Sequence, residues 1–203
     1  MHNTKHTAFS FGLLSCAVLA LAGCGTYTYH NPVAVATPAA VSTTTSTTAT
    51  MAAAPASMSP ADLQFVAVAA GAGMYEVEAA RVALTRASDT HVRSYAQMLV
   101  DHHTANNREL MSLVQAKGQR LAPGLPPSLQ QKVSTLSGLS GPAFDREFVR
   151  MTGVQDHKAA IAAFEQGRGS VGDRDLQAYI DKTLPVLRQH LRDAETLAGT
   201  MAG

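Results

Sequence analysis

Four stretches of the chain after residue 59 repeat apolar or small residues at the spacing of an α-helix, and none alternates them at the spacing of a strand. Helix one opens at Ser59-Pro60, a serine N-cap followed by a first-turn proline, with Asp62 at the positive helix end. Its inner stripe is Val66, Ala69, Gly73, Val77, Ala80 and Leu84, and Gly71 and Gly73 leave room for a close neighbour. Helix two is expected from about Ser88-Asp89 to Lys117, stopped by Gly118, with Val92, Tyr95, Leu99, His102, Asn106, Leu110 and Leu113 inward. Residues 119–141, rich in Pro, Gly and Ser, form a long connection holding a short helix near 128–136. Helix three runs from Gly141-Pro142 to Gln166, with Phe144, Phe148, Met151, Val154, His157, Ile161 and Phe164 inward, and Gly167, Gly169 and Gly172 stop it. Helix four covers 173–201, with Leu176, Ile180, Leu184, Leu187, His190, Ala194 and Leu197 inward and a kink expected at Pro185. The pattern predicts an all-α four-helix bundle over residues 59–203.

Each stripe carries one polar residue near the middle of its helix: Glu76, His102, His157 and His190. At about 1.5 Å per residue the four share one level of the bundle, spread over no more than about 10 Å. Two readings follow. The layer is a self-satisfied polar network that fixes register. Alternatively it is a metal site of three imidazoles and one carboxylate, for one transition metal ion such as zinc, copper or iron. Asp101 and Asp156 precede two of the histidines, and neighbours point about 100° apart on a helix, so these aspartates are expected to support the site rather than ligate. His103 is expected to face away from it.

The N-terminus reads as an address. Lys5 precedes an apolar run, Ala8 to Leu21, of about 14 residues, short of the roughly 20 that span a bilayer. Leu21-Ala22-Gly23-Cys24 then resembles a bacterial lipobox, which implies cleavage before Cys24 and lipid on that residue. Residues 1–23 are thus a signal peptide. Residues 24–58 hold no Asp, Glu, Lys or Arg, are mostly Thr, Ala, Ser and Pro, and read as a flexible tether. The expected location is the cell envelope, lipid-anchored through Cys24, and Gly25 fits an outer-membrane destination.

Composition narrows the chemistry. Removing the signal takes away Lys5 alone among the fixed charges, leaving 15 basic against 15 acidic residues. No basic excess is present to hold nucleic acid. Of the two cysteines, only the lipidated one survives cleavage, so the mature chain has no disulfide and no sulfur-rich metal site. Nothing resembles a nucleophile elbow or a His-Glu-x-x-His helix, so a hydrolase is not expected. No motif names a protein partner.

A set of short pieces, in order, carries a family resemblance: Glu76-Val77-Glu78, Tyr95 to His103, Phe144-Asp145, Asp156-His157, Thr183-Leu184-Pro185 and His190-Leu191. They resemble a bacterial envelope family of unknown function, number 4142, described as ferritin-like. The resemblance covers about residues 60–200. It implies a ferritin-like bundle with a long crossover after helix two, and points to Glu76, His102, His157 and His190 as matching positions. It implies no established activity. Di-iron ferritin-like proteins use Glu-x-x-His, whereas the residues three before the inner histidines here are Leu99, Val154 and Leu187. Ferroxidase chemistry is therefore not expected. Two functions compete: an envelope lipoprotein whose bundle binds a transition metal, and a non-catalytic structural or partner-binding module tied to envelope stress.

Overall fold

The computed structural model describes residues 57–201. The expected signal peptide, Cys24 and nearly all of the tether lie outside the described residues. Met58, the last tether residue by sequence, is buried against the bundle core.

The described residues contain helices and no strand. They are α1 (Pro60–Arg86), α2 (Thr90–Ala116), α3 (Pro127–Ser137), α4 (Gly141–Phe148), a π-helical stretch (Val149–Asp156), α5 (His157–Ser170) and α6 (Arg174–Met201). The start of α1 is a reciprocal capping box. The Ser59 hydroxyl accepts from the Asp62 N–H, and the Asp62 carboxylate accepts from the Ser59 N–H at 2.8 Å. Asp89 caps α2, and Gly118 takes a positive φ of 73° just beyond its end.

Helix three is longer and less regular than its periodicity suggests. It is one rod made of α4, the π-helical stretch and α5, and it passes Gly167 and Gly169 to end at Ser170. Gly167 continues the rod because its bare backbone is packed: a Cβ there would lie 2.5 Å from the Phe65 ring. α6 runs through Pro185 without interruption. The proline sits on the exposed face, where water can serve the carbonyl that loses its partner.

Around the bundle, α1 packs on α2, α2 on α6, α6 on α5, and α5 back on α1. The short turns after α1 and α5 make antiparallel pairs. The long connection instead carries the chain back along the bundle, with α3 lying on α1, so the third rod runs parallel to α2. One long crossover in a four-helix bundle is ferritin-like connectivity. It also explains why α1 is buried on nearly every side: α2 and α5 cover one flank, α3 and α4 the other.

Two buried aspartates tie the turns to the rods. Asp62 also accepts from the N–H groups of Gly172 and Asp173, at 2.9 and 3.2 Å, joining α1 to the α5–α6 turn. Asp145 in α4 accepts from the N–H groups of Ser88 and Asp89 and from the Ser88 hydroxyl, joining the third rod to the α1–α2 turn. A buried carboxylate survives only when its lone pairs are met in this way.

The core is in two parts. One apolar cluster holds Phe65, Val66, Leu110, Phe164, Leu176 and Ile180, and the other holds Ala80, Leu99, Phe144, Phe148 and Ala194. Between them, along all four rods, lies the polar layer.

Candidate metal centre

Each long rod delivers one buried ligand-type side chain to that layer: Glu76 from α1, His103 from α2, His157 from the start of α5, and His190 from α6. Their exposures are 1%, 4%, 0% and 1%. Glu76, His157 and His190 thus stand where their stripes place them. His102 does not: it is exposed, and its neighbour His103 takes the inward position. The correction is one residue of helix phase. His103 lies seven residues after Ala96 and seven before Leu110, both fully buried, whereas seven after His102 comes half-exposed Glu109. That heptad was the signal in the sequence for choosing His103.

The four side chains converge. His103 Nε2 stands 2.6 Å from Glu76 Oε2. His157 Nδ1 is 3.7 Å from Glu76 Oε1, and His157 Nε2 is 3.2 Å from His190 Nδ1. One nitrogen from each of His103, His157 and His190 lies within 4.8 Å of the other two. Tetrahedral coordination at about 2.0–2.1 Å from metal to nitrogen would draw these nitrogens in to about 3.3–3.4 Å from one another.

The protonation pattern can be read from the partners. His157 Nδ1 lies 2.9 Å from the carbonyl oxygen of Thr152, so it carries the proton and donates, leaving a lone pair on Nε2. His190 Nδ1 then donates to that Nε2, and the outward Nε2 of His190 accepts from His102 Nδ1 at 2.8 Å. Burial, then the neighbouring His103 and His157, push His190 down to about 3, so its imidazole is neutral near neutral pH. Burial works against a charged Glu76, but the attraction of His103 and His157 outweighs it and holds that carboxyl at about 2. The layer therefore presents the anionic Glu76 carboxylate together with the neutral imidazole of His190.

The hydrogen bonding is incomplete. Glu76 Oε1 and His103 Nε2 are buried and make no hydrogen bond. The 2.6 Å approach of His103 to Glu76 is off the line a hydrogen bond requires. Two ligand atoms left over in a sealed core are what a cation would take up.

The supports around the layer come from backbone and hydroxyl groups. The π-helical stretch matters most. Its wide turns leave the Thr152 carbonyl within reach of the His157 ring five residues on, which orients that ring. The Thr152 hydroxyl pairs with the Tyr75 hydroxyl at 3.0 Å, and the Tyr95 hydroxyl donates to the His190 carbonyl at 3.1 Å. Of the two aspartates expected to play this part, Asp101 is exposed and accepts from Gln97, and Asp156 pairs with Lys132. The sequence reading missed both Thr152 and the π-helical stretch, because no spacing rule announces an i to i+5 turn.

Fold and layer together define a ferritin-like helical bundle with a buried His/Glu cluster. The chain belongs to the family described as "Domain of unknown function (DUF4142)", which matches residues 47–197. Its structure is also similar to the crystal structure of a DUF305 fragment from Deinococcus radiodurans, with a TM-score of 0.63 and 19% identity over 71% of this chain and 99% of that one. At that identity the likeness is one of fold. No curated protein matches the chain.

Proposed function

We propose that the bundle holds one transition metal ion through Glu76, His103, His157 and His190, in a lipoprotein carried on the cell envelope by Cys24. The observation that carries the reading is the pair of buried ligand atoms, Glu76 Oε1 and His103 Nε2, left without hydrogen bonds where one side chain from each rod converges. Three imidazoles and one carboxylate suit zinc or copper(II) better than soft-ligand ions. Four protein ligands close a tetrahedral shell, the arrangement of storage, delivery or structural sites rather than of catalytic ones, which keep a position open. A single carboxylate in the layer, with Val100, Val154 and Leu187 three before the inner histidines, does not supply a di-iron set.

The address rests on the lipobox-like Leu21-Ala22-Gly23-Cys24 and on the charge-free tether behind it. Lipid on Cys24 would hold the bundle beside an envelope membrane, at the outer membrane if Gly25 directs sorting.

A second reading is favoured by the chain of hydrogen bonds from His102 through His190 and His157 to Thr152, which satisfies half the layer without an ion. In that reading the layer sets packing and the protein serves as a partner-binding module.

Elemental analysis of the tag-free chain separates the two. One equivalent of zinc or copper, lost in His157→Ala, supports the centre. Absence of metal after reconstitution with either ion overturns it.

A further inference from the structure

We infer that the cavity between α2 and α6 is the way a divalent cation reaches the buried layer, and that exposed His102, with the outward nitrogen of His190, receives it on the way. The inference rests on the metal reading above and adds a path and a residue to it.

The cavity, of about 210 Å³, is lined by exposed His102 and buried His103 and His190, together with Ala105, Val186 and Leu187. Its other polar groups are spoken for. Asn106 donates to the Tyr179 hydroxyl at 2.7 Å and accepts from the Thr183 hydroxyl at 3.1 Å, and Glu109 pairs with Lys182 at 2.6 Å. The ligand groups that remain are two imidazoles, His102 and His190, joined at 2.8 Å by a hydrogen bond from His102 Nδ1 to His190 Nε2. Exposed side chains change rotamer in picoseconds to nanoseconds. Turning the His102 ring breaks that one hydrogen bond, frees the lone pair of His190 Nε2 and can bring the unprotonated Nε2 of His102 to the cavity. His190 then stands between the outside and the inside, since its other nitrogen already faces His157.

The opposite approach is less suited to a cation. A cavity of about 460 Å³ under α3 touches Glu76, but Lys132 lines it, paired with Asp156, and none of the histidines does. Each cavity carries one lysine paired with a carboxylate, Lys182 with Glu109 and Lys132 with Asp156, so the difference lies in the imidazoles: His102, His103 and His190 line the first and none lines the second.

A residue that touches the ion only in transit lowers a barrier and leaves the end state alone. Its removal slows loading and unloading by the same factor. The experiment is stopped-flow uptake of cobalt(II), followed by its visible absorbance, and its release to excess chelator. The proteins are the full chain, His102→Ala, and His91→Ala as an exposed control on α2. In His102→Ala both rates should fall about tenfold, the worth of one hydrogen-bond-sized contact. Stoichiometry and Kd should stay at the wild-type values, and His91→Ala should match wild type throughout. Unchanged rates in His102→Ala overturn the path while leaving the centre standing. A weakened Kd with normal uptake makes His102 a resident ligand and overturns the transit role. Wild-type protein that takes up no cobalt overturns the centre and the path with it.

Discussion

The Glu76 carboxylate of α1 and the His103 imidazole of α2 meet 2.6 Å apart with both side chains sealed from solvent. Neither would be stable there alone, because a buried charge or an unmet ring nitrogen costs several kcal/mol. Their 2.6 Å contact offsets part of that cost, while Glu76 Oε1 and His103 Nε2 still lack a hydrogen bond.

Removing one partner therefore exposes that dependence. His103→Ala should cost roughly 3–5 kcal/mol, the usual penalty for stranding a buried charge. His102→Ala, one residue away but exposed, should cost about 1 kcal/mol or less, the worth of its hydrogen bond to His190. Urea unfolding of metal-free protein checks both, and equal losses would contradict the placement of His103.

Acid should loosen the fold well before ordinary carboxylates protonate. The folded His190 has its pKa lowered from 6.5 to about 3, so the stability from its neutral form is complete above 6.5 and is lost as pH falls toward 3. Glu76, lowered from 4.5 to about 2, contributes in full above 4.5 and loses that contribution as pH falls toward 2. In both cases the unfolded chain binds the extra proton, so stability drops by about 1.4 kcal/mol per pH unit for each such group. Decline should begin below pH 6.5 and steepen between pH 4.5 and 3, where both act. Chemical denaturation at half-unit steps from pH 7.5 to 3.5 reads the slope, and a flat profile between 6.5 and 4.5 contradicts it.

Space at two glycines should give opposite signs. A Cβ at Gly153 would lie 2.8 Å from the Ala194 Cβ, forcing the third rod away from α6 beside His157 and His190. Gly153→Ala should cost about 1–3 kcal/mol and weaken metal binding. Gly199 in α6 has nothing within 4 Å of such an atom, so Gly199→Ala should gain about 0.4–1 kcal/mol. Melting temperature and metal Kd measured on both variants decide.

Metal and heat resistance should be linked. At a free ion concentration 100 times Kd, binding to the native chain alone adds about 2.7 kcal/mol. Zinc should raise the melting temperature of the wild type and a chelator should reverse it, while His157→Ala should respond to neither. An equal shift in that variant would place the ion elsewhere.

Helix starts and stops were legible because they rest on local chemistry. Ser59-Pro60, Asp89 and Gly118 act within one turn of where they stand, and each ended or began a helix as expected. Composition showed a long connection in residues 119–141, and the family resemblance, not composition, implied that it crosses over. The polar layer was visible as one interruption per stripe, and three of its four members held. His102 and His103 could not be separated by a three-or-four spacing rule, since both fit it; only the longer heptad distinguishes them. Gly167 misled for a different reason. A glycine that ends a helix and one that lets Phe65 approach look alike in sequence, and only the packing tells them apart. The π-helical stretch left no trace, because its phase shift is set by what Thr152 and His157 meet in three dimensions.

The long crossover divides the chain into two locally closed hairpins. The first, α1 with α2, holds Glu76 and His103, and the second, the third rod with α6, holds His157 and His190. Each can assemble from contacts near in sequence, but each carries only half of the layer. An ion gripping all four side chains would therefore do nothing to secure either hairpin by itself. Its whole binding energy would fall on the seam between them, as a rivet through two plates.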